Sequence, residues 1–110
     1  MPVDTTVLRG AVRSGFLAKS VAGAVDVVLT PQEAIARAIQ FTGAITANIN
    51  VVLPLGAESS QGEYLFKNST SGSFTLTVKG SIGSGVAITA AKKVIMMWTG
   101  ADFEAWTAEL

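Results

Sequence analysis

The chain has 110 residues, a length typical of one small domain. Its eight basic and eight acidic side chains give zero net charge, which argues against a nucleic-acid binder and against electrostatic binding to an anionic membrane. The sequence contains no cysteine and no histidine, so it excludes disulfides and thiolate metal sites and lacks the ligands that zinc prefers. We therefore expect no metal or other cofactor.

Charged residues make up only 15% of the chain, against about 25% in an average soluble domain. Two interpretations fit this low density of surface charge: a monomer whose surface is rich in serine and threonine, or a surface partly buried between copies of the chain. We favour the second, because exposed apolar area on a protein usually marks a contact surface.

The first 23 residues differ from the rest of the chain because they carry three basic side chains and a single acid. Leu8, Val12 and Phe16 recur at every fourth residue, as on one face of a helix, although two glycines interrupt the pattern. We predict an N-terminal arm, or an irregular edge of the fold, over residues 1–23, followed by a β domain over residues 24–110. The arm is expected to bind a partner through its apolar and basic side chains: Leu8, Arg9, Val12, Arg13, Phe16 and Lys19.

A short helix is predicted after a β-branched run at residues 24–29. Thr30-Pro31-Gln32-Glu33 has the pattern of a capping box, in which the threonine hydroxyl and the glutamate carboxylate each accept a backbone N–H. Proline suits the first helical position, where its missing N–H would have no intrahelical partner. The helix is expected to extend from Pro31 to Arg37.

The remainder of the chain predicts β-strands separated by turns. Apolar residues alternate with polar ones over 45–53, which indicates strands rather than a membrane helix in the uncharged stretch 38–57. Residues 63–67 and 73–79 are predicted to pair as a hairpin across a turn at 68–72. In the second of these strands the alternation predicts that Phe74, Leu76 and Val78 face the core. Thr75 and Thr77 are predicted to lie outside it.

This pattern predicts a mainly β fold: a small antiparallel β-sandwich or jelly-roll-like domain of about eight short strands, with one short helix and the N-terminal arm. No internal repeat is visible. The glycine-rich stretch 80–85 is predicted to be a turn rather than a phosphate-binding loop, because a strand rather than a helix follows it. Trp98 and Trp106 are expected in the core or in an interface, with stacking on a sugar as the alternative.

No arrangement of residues indicates catalysis. Histidine and cysteine are absent, and the carboxylates are scattered among different loops and strands, where each has a structural explanation. Two carboxylates alone can hydrolyse a glycoside, so an enzyme remains as an alternative.

Between Leu29 and Asp102, short motifs follow one another in an order that resembles a module of bacteriophage structural proteins, found in tail fibres, baseplate-associated proteins and head-decorating proteins. Singly, each motif is ordinary strand and turn chemistry; the resemblance rests on their order. The motifs are Phe41-Thr42-Gly43-Ala44-Ile45-Thr46-Ala47-Asn48, Leu53-Pro54, Asn68-Ser69-Thr70-Ser71-Gly72, Phe74-Thr75-Leu76-Thr77-Val78-Lys79, Gly83-Ser84-Gly85-Val86-Ala87-Ile88 and Thr99-Gly100-Ala101-Asp102.

The resemblance implies a trimer-forming β module of a virion without enzymatic activity. A chain as short as this one favours a capsid cement or decoration protein, a homotrimer on the head surface that binds the major capsid protein and stabilises capsomer contacts. The alternatives are a tail-fibre or baseplate component, whose partners would be other tail proteins, and a carbohydrate-binding module.

Overall fold

The computed structural model describes residues 14–57, 59 and 62–110. In these residues the fold is mainly β, as predicted, with one short helix, α1 (Pro31–Ala34). The strands are β1 (Ser14–Ser20), β2 (Val27–Val28), β3 (Ala36–Ala44), β4 (Ile49–Val52), β5 (Gly62–Ser71), β6 (Leu76–Lys79), β7 (Val86–Ile88), β8 (Lys93–Trp98) and β9 (Phe103–Ala105). Within this described part, no helix is long and apolar enough to span a membrane.

Helix α1 begins with the predicted capping box. The Thr30 hydroxyl accepts the N–H of Glu33 at 3.2 Å, and the Glu33 carboxylate accepts the N–H of Thr30 at 2.9 Å. The helix is shorter than predicted because it ends at Ala34 and the chain enters β3 at Ala36. In β3 the backbone can bond to a strand on each side, β1 and β5, which a longer helix would forgo.

The strands form two sheets, with the order β1-β3-β5-β8-β9 in one and β2-β4-β6-β7 in the other. From β1 to β6 the chain alternates between the sheets, and each of the strands β1 to β4 pairs in parallel with the strand two places later. The chain therefore winds through three stacked coils: a first coil (β1 and β2), a second (β3 and β4) and a third (β5 and β6). Because equivalent residues stack, Val27 lies beside Val51, and Val51 beside Val78.

The last three strands reverse direction. β7 pairs antiparallel with β6, and β8 with β5, while β9 pairs antiparallel with β8. The sheets are therefore mixed, and the purely antiparallel sandwich or jelly roll of the prediction is not what the strand pairing shows. The coils form a structural repeat, although the sequence shows none. Its length is 22 residues between the paired positions Phe16 and Ala38, and 27 residues between Ala38 and Leu65.

The predicted hairpin of residues 63–67 with 73–79 is wrong. β5 continues through the predicted turn to Ser71, and β5 and β6 then lie in different sheets. The chain turns at Gly72, whose φ of +100° favours glycine and whose added Cβ would lie 2.5 Å from the Ile45 carbonyl oxygen. Alternation identifies the two faces of a strand, but it does not identify the strand's neighbour.

The core lies between the two sheets. Leu76 and Val78 are fully buried as predicted, whereas Phe74 is 40% exposed and precedes β6 instead of belonging to it. An aromatic cluster fills the side of the core under β5, β8 and β9, with neighbouring ring centroids 5.2–5.7 Å apart. Its members are Phe41, Tyr64, Phe66, Trp98 and Phe103.

Candidate functional site

An apolar row crosses the outer face of the five-stranded sheet. The strand register places Phe16, Ala38, Leu65 and Ile95 side by side on β1, β3, β5 and β8. The chain neighbours of Leu65 and of Ile95 are buried, so the alternation of β5 and β8 leaves these two residues on the outside. Phe16 is 67% exposed and Leu65 is 38% exposed, which is unusual for large apolar side chains on one face of a sheet.

The row lines a groove of about 230 Å³, which we call the outer groove. Leu110 forms part of its wall, because the backbones of Leu110 and Lys93 exchange two hydrogen bonds of 2.9 and 3.3 Å beside β8. The lining residues are Phe16, Ala38, Ile39, Leu65, Phe66, Lys67, Lys93, Val94, Ile95 and Leu110.

Two lysines border the outer groove at one side. Lys67 on β5 and Lys93 on β8 are directly opposite each other in the antiparallel register, and both are exposed. Like charges in this arrangement repel. Neither ammonium forms an ion pair with a carboxylate of the described residues. The ion pairs among those residues are Lys19–Glu33 and Arg37–Glu63.

The first coil is a second apolar region. Val28 on β2 is 67% exposed and Val25, in the turn before β2, is 71% exposed. Leu17 and Val27 pack against the core but stay only partly buried. Both β1 and β2 are edge strands of their sheets in the described residues.

The structure describes two of the six residues predicted to bind a partner. Phe16 and Lys19 both lie on β1, whereas Leu8, Arg9, Val12 and Arg13 lie outside the described residues. Phe16 faces the outer groove. Lys19 donates a 2.8 Å hydrogen bond to Glu33 and so links the first coil to α1.

The end of the predicted arm is part of the folded domain. Residues 14–20 form β1, and Val21 is only 1% exposed in the core. The strand forms because β3 offers a parallel partner over its whole length, from Ser14 beside Ala36 to Ser20 beside Thr42. Residues 14–20 are therefore a strand of the five-stranded sheet.

No protein-family model, curated protein or solved structure matches this chain. Its function must therefore be inferred from the chemistry of its own surface.

Every aspartate and glutamate side chain in the described part of the chain already has a partner within the fold. No group of three or more acidic residues there could hold a metal ion. The pairs are Asp26 with Asn50, Glu33 with Lys19 and Thr30, Glu63 with Arg37, Asp102 with the turn at 84–85, Glu104 with Trp106, and Glu109 with Thr89.

The glycine-rich turn is held by Asp102. The Asp102 carboxylate accepts the backbone N–H groups of Ser84 at 3.0 Å and of Gly85 at 2.9 Å. Burial acts to raise the pKa of Asp102, but these N–H groups and that of Phe103 outweigh it and hold the pKa below its ordinary value. The donors that would bind a phosphate in a phosphate loop are thus engaged by a carboxylate of the chain itself.

The two tryptophans have different environments. Trp98 is fully buried, and its indole N–H donates to the Gly56 carbonyl at 3.3 Å. Trp106 is 59% exposed, and its indole N–H donates to Glu104 at 2.9 Å. Only Trp106 could stack on a ligand such as a sugar.

The sequence analysis did not identify the outer groove. Leu65, Lys67, Lys93 and Ile95 belong to two strands that are far apart in sequence, and their proximity depends on the β5–β8 register. The sequence alone gives no signal that pairs Lys67 with Lys93, because the two lysines are neighbours only through that register.

Proposed function

We propose that the chain is a non-enzymatic structural subunit of a bacteriophage virion, which decorates the head surface as a homotrimer and stabilises capsomers by binding them. One observation supports this proposal most strongly: the first coil leaves apolar side chains and the edges of both sheets uncovered in the described residues. In stacked-coil proteins a terminal coil with such a surface needs a cap or a partner.

The edge at β1 lacks the usual protection against pairing with another chain. Natural edge strands carry charges, prolines or bulges, or they are kept very short. β1 has seven residues, no proline and one charge, Lys19, whose ammonium is engaged by Glu33. A second copy of the chain could therefore approach β1 without facing an unpaired charge on that strand.

Light scattering of the purified protein tests self-association. We expect about three times the chain mass of 11.3 kDa. Val28→Lys places a charge on the exposed edge strand β2 and should shift the mass towards the monomer. The matched control is Ile82→Lys, an exposed apolar residue in the glycine-rich turn, which should leave the mass unchanged. A monomeric wild-type protein, or equal effects of both variants, would contradict self-association through the first coil.

The number of copies per purified particle tests the place in the virion. A head-decorating protein repeats over the capsid lattice and is present in many copies, whereas a tail or baseplate component is present in few. Few copies would favour the tail alternative and contradict a head coat.

The exposed ring of Trp106 supports a second candidate function, carbohydrate binding. A glycan array probed with the wild-type protein and with Trp106→Ala tests it. Binding that disappears in the variant would favour this function, and the buried Trp98 offers no comparable surface.

A further inference from the structure

The outer groove combines an apolar floor with two positive charges on one border. Leu65, Ile95 and Leu110 line it, and the Lys67 and Lys93 ammonium groups stand beside it. Apolar grooves recognise apolar side chains through buried area, and lysines recognise carboxylates as point charges. The two features together select a ligand that is both apolar and acidic.

The lysine pair needs an explanation because it costs stability in the isolated chain. Lys67 and Lys93 face each other across β5 and β8, and neither forms an ion pair with a described residue. The six described side-chain carboxylates, by contrast, are all engaged elsewhere in the fold. A bound anion would turn the repulsion of the lysines into a pair of attractive contacts.

We propose that the outer groove binds an extended segment of a partner protein, which inserts an apolar side chain beside Leu65 and Ile95 and places a carboxylate at Lys67 and Lys93. This inference deepens the proposed function, because it gives the chemistry of the partner surface that the subunit recognises. Its occupant is acidic because the border of the outer groove carries the two ammonium groups of Lys67 and Lys93.

The test uses three pools of short synthetic peptides that share a central leucine and differ only in their flanking residues: glutamate, glutamine or lysine. Binding is followed by NMR, through the amide resonances of Leu65 and Ile95. We expect the glutamate pool to bind about fivefold more tightly than the glutamine pool, as two partly exposed charge contacts would give, and the lysine pool to bind least.

The charge-reversal variant Lys67→Glu/Lys93→Glu should invert this order and favour the lysine pool. The matched control, Lys92→Glu, changes an exposed lysine outside the groove lining and should keep the wild-type order. Leu65→Gln should weaken all three pools alike because it removes the apolar contact. Retained amide dispersion shows that each variant is folded.

Three results would overturn the proposal: equal binding of the three pools, no binding of the glutamate pool at about millimolar concentration, or a preference that survives the charge reversal. A change of oligomeric mass in Lys67→Glu/Lys93→Glu would also overturn it, by showing that a second copy occupies the groove. None of these results requires a virion. The peptide test can therefore contradict binding in the outer groove without contradicting head decoration, and a failure of head decoration would not contradict binding in the groove.

Discussion

The two ends of the stack of coils differ in how they are closed. At the far end, β7 and β9 are the edge strands of the two sheets and contact each other. Asp102 ties the turn before β9 to the turn before β7, and Glu109 accepts hydrogen bonds from Thr89 just after β7. The first coil has no comparable closure in the described residues, and its apolar side chains Val25 and Val28 remain exposed.

This difference follows from the direction of the chain. A reversing strand can bond antiparallel to the last coil, so β7 and β8 cover what would otherwise be open edges. At the start of the stack, β1 and β2 come first and pair on one side only within the described residues. A coil stack that closes one of its ends is suited to joining partners at the other.

The largest expected effect comes from the interior of the third coil. Leu76→Ala should lower the free energy of unfolding by about 2–5 kcal/mol, because Leu76 is fully buried. The neighbouring Thr77 points away from the core and is half-buried, so Thr77→Ala should change stability by no more than about 0.5 kcal/mol. Urea denaturation measures both, and equal losses would contradict the assignment of faces in β6.

The stacked valines compare the coils directly. Val51→Ala and Val78→Ala should each cost about 2 kcal/mol, since both residues are fully buried. Val27→Ala, at the equivalent position of the first coil, should cost less than about 1 kcal/mol in the monomer because Val27 is only partly buried. Urea denaturation at a protein concentration that keeps the chain monomeric distinguishes them. An equal cost at Val27 would mean that the first coil is as well covered as the others.

Substitutions at two glycines also compare the two ends of the stack of coils. Gly85, beside β7, has φ of +81°, and an added Cβ would lie 2.4 Å from the Val78 carbonyl oxygen. Gly85→Ala should therefore cost about 1–3 kcal/mol in thermal or urea unfolding. Gly15 on β1 has nothing within 4 Å of an added Cβ, so Gly15→Ala should leave stability unchanged within about 0.5 kcal/mol. A larger loss at Gly15 would show that β1 is packed more closely than its described neighbours indicate.

The smallest expected effect is the pH dependence at the first coil. The hydrogen bond from Lys19, followed by that from the Thr30 backbone N–H, lowers the pKa of Glu33. A carboxylate with a lowered folded-state pKa stabilises the fold fully above its unfolded pKa, and this contribution is lost as the pH falls through the folded value.

Glu33→Gln should therefore be less stable than the wild type at about pH 7 and equal to it at about pH 2, where both side chains are neutral. Urea midpoints of the two proteins at both pH values measure this, with Glu104→Gln as a control on an exposed carboxylate. A difference that persists unchanged at low pH would assign the effect to packing rather than to charge.

Local features of the fold were predictable from the sequence, and its connectivity was not. The capping box at Thr30 and Glu33 and the burial of Leu76 and Val78 depend on neighbours in sequence, and both predictions are confirmed. The partners of β5 lie in β3 and β8, and period-two alternation is the same for parallel and antiparallel neighbours. The outer groove depends on these strand pairings, so it could not be predicted from the sequence either.

The inclusion of β1 in the sheet also escaped prediction. The spacing of Leu8, Val12 and Phe16 suggested a helical face, but a parallel strand at β3 stabilises residues 14–20 in the extended conformation. At residues 14–20, tertiary pairing therefore decides the secondary structure.

Amide hydrogen exchange, measured at dilute and at concentrated protein, tests most directly whether the first coil is where copies of the chain join. Backbone N–H groups on the free side of an edge strand exchange quickly until another strand pairs with them. We predict that the amides of β1 and β2 become more protected as concentration rises, while those of β7 and β9 do not change. Protection that is independent of concentration, or that increases at β7 and β9 instead, would contradict the account.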